Sequence, residues 1–240
     1  MRSLKDGKRK LLTVVPTPIG NLQDITLRAL QALREADLIA AEDTRRSGML
    51  LLHHNIKTPM LSLHEHNEIS RTARLVEEVA QGRTIALVTD AGMPGISDPG
   101  FRLIRACRER GLEVAVLPGP SAVITALVGS GLPTNAFFFG GFLPVKSGRR
   151  RQELERASSR PETSVYFESP HRLLKTLEVL CEVAPAALIC VARELTKKFE
   201  EYRRGRAAEL LAHYKSRQPK GEITLVISNS PETSPKLPTD

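Results

Sequence analysis

Two rhythms of apolar residues alternate along the first 120 positions. Short unbroken runs are separated by stretches in which apolar residues fall three or four apart. The runs LLTVV (11–15), DLIAAED (37–43), PMLSL (59–63), TIALVTD (84–90) and LEVAVL (112–117) predict five strands. TIALVTD is apolar on both faces, as a central parallel strand is. A helix is predicted from Asp24 to about Ala36, with Leu27, Leu30 and Leu33 on one face and Asp24 placed to cap it. Residues 67–81 read as a second helix, capped by Asn67 and ended by Gly82. The segment DPGFRLIRACRERG reads as a third, with Asp98 as cap, Pro99 in the first turn and Gly111 as the stop. Residues between the second and third strands read as a polar loop. Strands joined by helical crossovers predict an α/β fold with a five-stranded, doubly wound parallel sheet.

Beyond PGPSA (118–122) the rhythm changes. A helix from Ser121 is followed by NAFFFGGF and the basic stretch KSGRRRQELER. The strand TSVYFES, a helix over 169–182 and the strand ALICVARELT come next. KFEEYRRG can return beside that strand as a hairpin; a helix over 206–217 and the strand EITLVIS complete the pattern. Fewer, longer and more aromatic strands predict a second domain with a mixed sheet and helices. The expected organisation is an N-terminal domain over 11–120, a C-terminal mixed α/β domain over 121–228, and disordered tails at 1–10 and 229–240.

Hydrophobic residues make up 41% of the 240 positions and charged residues 26%, which excludes a wholly disordered chain. No apolar run approaches the ~18 residues of a membrane span, and MRSLKDGKRK lacks an apolar signal core. The expected address is the cytoplasm, with no membrane partner. Cys107, Cys181 and Cys190 lie in apolar or helical surroundings and read as reduced core residues. Lysine and arginine total 35 against 27 acids, a formal charge of +8 that favours a polyanionic partner.

Three loops at the carboxyl edge of the first sheet carry the chemistry. In PTPIGN, where a dinucleotide fold would place G-x-G-x-x-G, there are two prolines and one glycine, so a nicotinamide or flavin bound in the usual way is not expected. TDAGMPGISDPG (89–100) spends three glycines and two prolines on twelve residues, and Gly92 permits close approach to its backbone. There Asp90 would meet a ligand amine and free amides a carboxylate. PGPSA adds small residues and the Ser121 hydroxyl. Three stiff loops on one rim describe a crevice for a zwitterionic nucleoside.

The ordered segments PTPIGNLQDIT, AAEDTR, LHEHNE, TDAGMPGISDPG, LPGPSA, ESPHR and ARELTK closely resemble the RsmI family, bacterial small-subunit rRNA cytidine-2′-O-methyltransferases within the tetrapyrrole-methylase-like (class III) methyltransferases. The resemblance spans about residues 11–228. It implies two α/β domains with S-adenosylmethionine in the cleft between them, usually a homodimer, and methylation of cytidine 1402 in 16S rRNA of the small ribosomal subunit. It implies donor contacts from Pro16 and Gly20 on the cleft floor, from Asp90, Ala91, Gly92 and Pro94, and from Ser121 and Ala122. Phe167, Glu168, Ala192 and Gly221 would enclose the adenosine. Met93 departs from the threonine common in the family.

Ribose methylation needs an aligned hydroxyl and an acceptor for its proton. Candidates are Asp43 and Arg45 of AEDTRR, and Arg193, Glu194 and Lys197 of ARELTK, with Lys197 a base if its pKa is lowered. His64, Glu65 and His66 of LHEHNE are a further charged cluster; the two histidines have a metal-like spacing without a third ligand, and no metal is expected. KSGRRRQELER and EYRRGR are the expected RNA footprint. Two rival readings are a methylase of a tetrapyrrole or other small molecule on the same fold, and a noncatalytic RNA-binding assembly factor.

Overall fold

The computed structural model describes residues 11–229, which divide after Ser121 into two compact units. The terminal segments expected to be disordered lie outside the described residues, except Asn229, whose side-chain amide donates to the Ala157 carbonyl at 2.7 Å.

The first unit contains β1 (Leu11–Val14), α1 (Leu27–Glu35), β2 (Leu38–Ala41), α2 (Thr44–His53), β3 (Met60–Ser62), α3 (Glu68–Ala80), β4 (Ile85–Val88), α4 (Phe101–Glu109) and β5 (Glu113–Val116). All strand pairs are parallel, in the order β3-β2-β4-β1-β5, so β4 is the central strand. Alternate side chains divide the core between two faces. Leu12, Val14, Leu38, Ala40, Ile85 and Leu87 meet Leu75, Val79, Leu103 and Cys107 of α3 and α4. Ile39, Ala41, Ala86 and Val88 meet Ala29, Leu33, Leu50 and Leu51 of α1 and α2 on the opposite face. This is the doubly wound arrangement that the apolar runs predict.

Four local expectations are corrected. The first helix starts at Leu27, because the Thr26 hydroxyl accepts the Ala29 amide at 3.1 Å; Asp24 closes a single 3-10 turn instead. The supposed polar loop after β2 contains α2, capped by Asp43, whose carboxylate accepts the Arg45 amide at 2.8 Å. Asp98 does not cap α4. Gly100, at φ +118°, precedes the helix, and Glu68 from the start of α3 accepts the Gly100 and Arg102 amides at 2.9 and 3.2 Å. Asn67 precedes α3 as expected, but its side chain turns back to accept the His64 amide at 2.9 Å.

The second unit contains α5 (Ala122–Ser130), β6 (Phe137–Phe142), α6 (Ser147–Ser159), β7 (Thr163–Glu168), α7 (Leu173–Val183), β8 (Leu188–Arg193), β9 (Glu201–Gly205), α8 (Ala207–Ser216) and β10 (Ile223–Ser228). Its sheet runs β6-β7-β10-β8-β9. Only β6 and β7 are parallel; the remaining pairs are antiparallel, and β8 with β9 forms the expected hairpin. Its strands are longer than those of the first unit but equally numerous, contrary to the expectation of fewer. Leu154, Leu177, Leu180, Leu210 and Tyr214 from α6, α7 and α8 pack with Tyr166, Ile189, Val191, Ile223 and Leu225. The edge strand β6 keeps register with β7 over Phe137–Phe139, then shifts before Phe142 at a bulge containing Gly141, φ +67°. The Arg160 guanidinium stacks 3.8 Å from the Phe138 ring centroid.

Cys107 and Cys190 are buried and Cys181 partly so. Burial pushes the Cys107 and Cys190 thiols up to about 11, which keeps them protonated and unreactive.

Candidate functional site

The three loops at the carboxyl edge of the first sheet are knit together. Thr17 and Gly92 exchange both backbone hydrogen bonds, at 3.0 and 2.9 Å, in an isolated antiparallel bridge. The Thr17 hydroxyl donates to the Thr89 carbonyl at 3.0 Å. A Cβ on Gly119 would stand 2.9 Å from the Pro16 Cβ, and one on Gly92 would stand 3.5 Å from Ile19. The prolines of PTPIG therefore stiffen a turn whose amides bind a neighbouring loop. Gly92 is left without a free amide for a ligand carboxylate, against expectation. Positive φ angles at Gly92, Gly95, Ser97 and Gly100 wind the 89–100 loop tightly, so glycine is required at three of its positions.

Asp90 follows β4, and its carboxylate is already engaged. One oxygen accepts the Asp43 amide at 3.1 Å; the other lies 3.2 Å from the Arg46 guanidinium. The Asp90 amide in turn donates to Glu42 at 3.2 Å. Sequence reasoning passed over Glu42 and Arg46 and gave Asp98 only a capping role. Burial raises the Glu42 pKa, helped by the Asp90 charge. Burial, then the charges of Glu42 and Asp90, pushes Asp98 up to about 7. Excess negative potential at this rim suits a cationic ligand without phosphate. The signal for Glu42 was present in AAED, where two carboxylates directly follow a strand.

Asp43 and Arg45 form a local pair. The guanidinium donates to both carboxylate oxygens at 3.0 and 2.7 Å, and these bonds hold Asp43 well below the usual carboxylate range. The Arg45 side chain is 89% exposed, so the pair reaches solvent. In LHEHNE, the His64 and His66 ring centroids are 6.0 Å apart, and His64 Nε2 lies 3.0 Å from the Asn67 amide. Pro16, Gly92 and Pro94 are buried, Ala91 and Ser121 are half-buried, and Gly20 is exposed.

In the second unit, Glu168 is committed to structure. It accepts from Thr176 at 2.5 Å and Ser169 at 2.7 Å and pairs with Arg172 at 2.9 Å. With its side chain fully buried, this carboxylate is the polar anchor of α7. Phe167 packs between Phe139 and Phe142, centroids 5.1 and 5.3 Å away. Ala192 is buried in β8, opposite Thr224; Ala122 opens α5 and is half-buried.

ARELTK makes a locked turn. Lys197 Nζ stands 2.9 Å from both Glu194 and Glu222 carboxylates. Burial alone lowers the Lys197 pKa, but the two carboxylate bonds outweigh it and the net shift is upward. The lowered pKa that a lysine base requires is not what this geometry provides. Arg193 bonds Glu201 at 3.1 Å and the Lys220 carbonyl at 3.1 Å. Gly221, at φ +84°, lies against the Glu194 carboxylate where a Cβ would collide.

Much of the expected RNA footprint is internally paired. Arg150 is buried, with its guanidinium on the Val145 carbonyl at 3.2 Å. Arg151 bridges Glu155 and Glu182, Arg156 meets Glu153, and Arg203 meets Glu201. Lys146, Arg149, Arg204 and Arg206 remain exposed.

Residues 11–211 match the family model described as tetrapyrrole (corrin/porphyrin) methylases. The fold resembles the methyltransferase CobJ, with TM-score 0.69 and 20% identity over 94% of this chain and 95% of that one. It also resembles diphthine synthase, with TM-score 0.69 and 17% identity over 91% and 90%. Proteins named ribosomal RNA small subunit methyltransferase I are much nearer in sequence. That of Haemophilus influenzae is 48% identical over 93% of this chain and 80% of its own length. That of Thermotoga maritima is 46% identical over 90% and 97%, and that of Escherichia coli is 45% identical over 98% and 83%. At such identity over nearly its whole length, the chain belongs to the ribosomal RNA small subunit methyltransferase I family, within the tetrapyrrole methylases.

Proposed function

We propose that this methyltransferase uses S-adenosylmethionine to methylate the ribose 2′-oxygen of cytidine 1402 in 16S rRNA of the small ribosomal subunit, as a homodimer in the cytoplasm. The names of its relatives support the substrate. The observation that carries the donor is the carboxylate cluster of Glu42, Asp90 and Asp98 beside the bridged loops. Its raised Glu42 and Asp98 pKa values mark a rim short of positive charge. S-adenosylmethionine carries a sulfonium and an ammonium and no phosphate, so the donor set fits it. When bound, it supplies the methyl group.

The chain's own part is positioning, which contributes most where no strong acid or base is at hand. Asp90, fixed by the Asp43 amide and Arg46, holds the orientation of the 89–100 loop. Gly92 and Pro16 keep that loop closed on its neighbours, and Pro94, Ala91, Gly20, Ser121 and Ala122 shape the wall. The family resemblance assigns Phe167, Ala192 and Gly221 to the adenosine and makes Asp43, Arg45, Arg193 and Glu194 the candidates that would orient the ribose. Lys197 stays an ammonium and braces its turn. No helix among the described residues is long and apolar enough to cross a membrane.

The test is transfer of labelled methyl from S-adenosylmethionine to small subunits lacking the modification, followed by mapping of the label. Label on one cytidine 2′-oxygen is the expected result, and Asp90→Ala should weaken donor binding at least tenfold. Label on a base, or none with donor binding intact, would overturn the assignment.

A further inference from the structure

The turn between β8 and β9 spends conformational strain to hold out one aromatic ring. Glu194 and Thr196 sit at φ +52° and +63°, a region that side-chain-bearing residues seldom occupy. Such strain persists only where the surroundings enforce it. Here the enforcement is dense. Glu194 and Glu222 exchange backbone and side-chain bonds, with the Glu194 amide on the Glu222 carbonyl at 2.9 Å and the Glu222 amide on the Glu194 carboxylate at 3.0 Å. Lys197 ties both carboxylates, and the Thr196 amide donates to Glu200 at 2.6 Å. Backbone bonds from Lys197 to Glu194 and from Glu200 to Lys197, both 3.1 Å, close the turn. At its tip Phe199 is 66% exposed, with the Lys198 ammonium 5.7 Å from the ring centroid.

An aromatic ring left this exposed on a tightly bonded turn contributes little to the packing of its own unit. The charges around it select a partner. Glu194 and Glu222 are paired with Lys197 and Glu201 with Arg193, while Glu200 accepts the Thr196 amide. No ion pair involves the Lys198 or Lys220 ammonium among the described residues. The local surface therefore offers one π-face with the Lys198 ammonium beside it, the pairing that single-stranded nucleic acid uses for a base and its phosphate. We infer that Phe199 stacks on an unpaired base of the RNA substrate while Lys198 meets an adjacent phosphate, the Glu194–Lys197–Glu222 clamp acting as a positioning device. The inference rests on the rRNA reading above and adds a specificity contact to it.

The chain has no tryptophan, so Phe199→Trp creates a single indole reporter at the site. Two variants, Phe199→Ala and Phe199→Trp, are compared with the parent protein in steady-state methylation of small subunits. With alanine, KM for subunits should rise between about fivefold and a hundredfold, the range for losing one base stack. kcat, the dissociation constant for S-adenosylmethionine and the melting temperature should stay unchanged. With tryptophan, KM should return towards the parent value, and indole emission should be quenched by a short single-stranded oligoribonucleotide. An alanine variant with the parent KM overturns the inference while leaving the enzyme assignment standing; a parent protein that methylates no RNA overturns the assignment itself. A change of sedimentation coefficient in the alanine variant would instead assign Phe199 to contact between copies of the chain.

Discussion

Replacing Asp98 with asparagine should make the protein more stable, and only above a definite pH. The Asp98 carboxyl rises from an ordinary 3.8 to about 7, through burial and then the charges of Glu42 and Asp90. Each pH unit corresponds to 1.36 kcal/mol, so the charged form costs about 4 kcal/mol before solvent is considered. The side chain is only half-buried, and screening reduces this to roughly 2 kcal/mol. Below pH 3.8 the carboxyl is protonated in both folded and unfolded chains and contributes nothing. Between about pH 4 and 7 the unfolded chain releases its proton while the folded one retains it, so stability falls as pH rises. Above about 7 both are ionised and the cost is constant. The amide of the Asp98→Asn variant never ionises; its advantage should be absent near pH 4, grow through that window and level off near roughly 2 kcal/mol at about pH 8. Urea denaturation of both proteins at pH 4, 6 and 8 measures it. An equal difference at all three values would refute the electrostatic account and reduce the substitution to a change in packing.

Two further outcomes follow from the local geometry. Glu68→Ala leaves the amides of Gly100 and Arg102 without their acceptor and should cost about 2 kcal/mol in chemical denaturation, whereas the same change at Asp98 should not; the reverse order would restore Asp98 as the helix cap. Gly221→Ala places a Cβ on the Glu194 carboxylate at a positive φ, so it should destabilise by more than about 1 kcal/mol and slow methyl transfer by releasing the clamp; an unaltered melting curve and rate would show that the turn accommodates a side chain.

The doubly wound sheet was legible because each β-strand of the first unit is an apolar run, and alternation along it assigns side chains to two faces. Helix α2 was not. Its buried positions, Ser47, Leu50 and Leu51, make a narrow stripe, while Met49 and Leu52 are exposed and Gly48 and the histidines blur the period. Caps failed where the acceptor came from far along the chain. Asp98 stands at the expected position for α4, yet the Gly100 amide is reached by Glu68, 32 residues before that glycine. The site divides in the same way. Glycine and proline content marked the three loops, since backbone freedom is a property of local sequence. Which carboxylate shares charge with which depends on chain segments meeting in space, so AAED could point to Glu42 as a carboxylate after a strand while the elevated Asp98 and its coupling to Glu42 stayed invisible. Lys197 shows the limit most sharply, because the partners that decide its protonation, Glu194 and Glu222, are 3 and 25 positions away.

The break in β6 bears on how this chain avoids sticking to itself. FFFGGF is uncharged and rich in phenylalanine, and it lies at the rim of its sheet, where a bare ladder of amides and carbonyls invites another strand to zip on. The register shift before Phe142 and the positive φ of Gly141 interrupt that ladder after three residues. Arg160 plants a permanent charge on the face of Phe138. Straightening the bulge by filling Gly141 would lengthen the adhesive edge, and the penalty would fall on solubility during synthesis and storage.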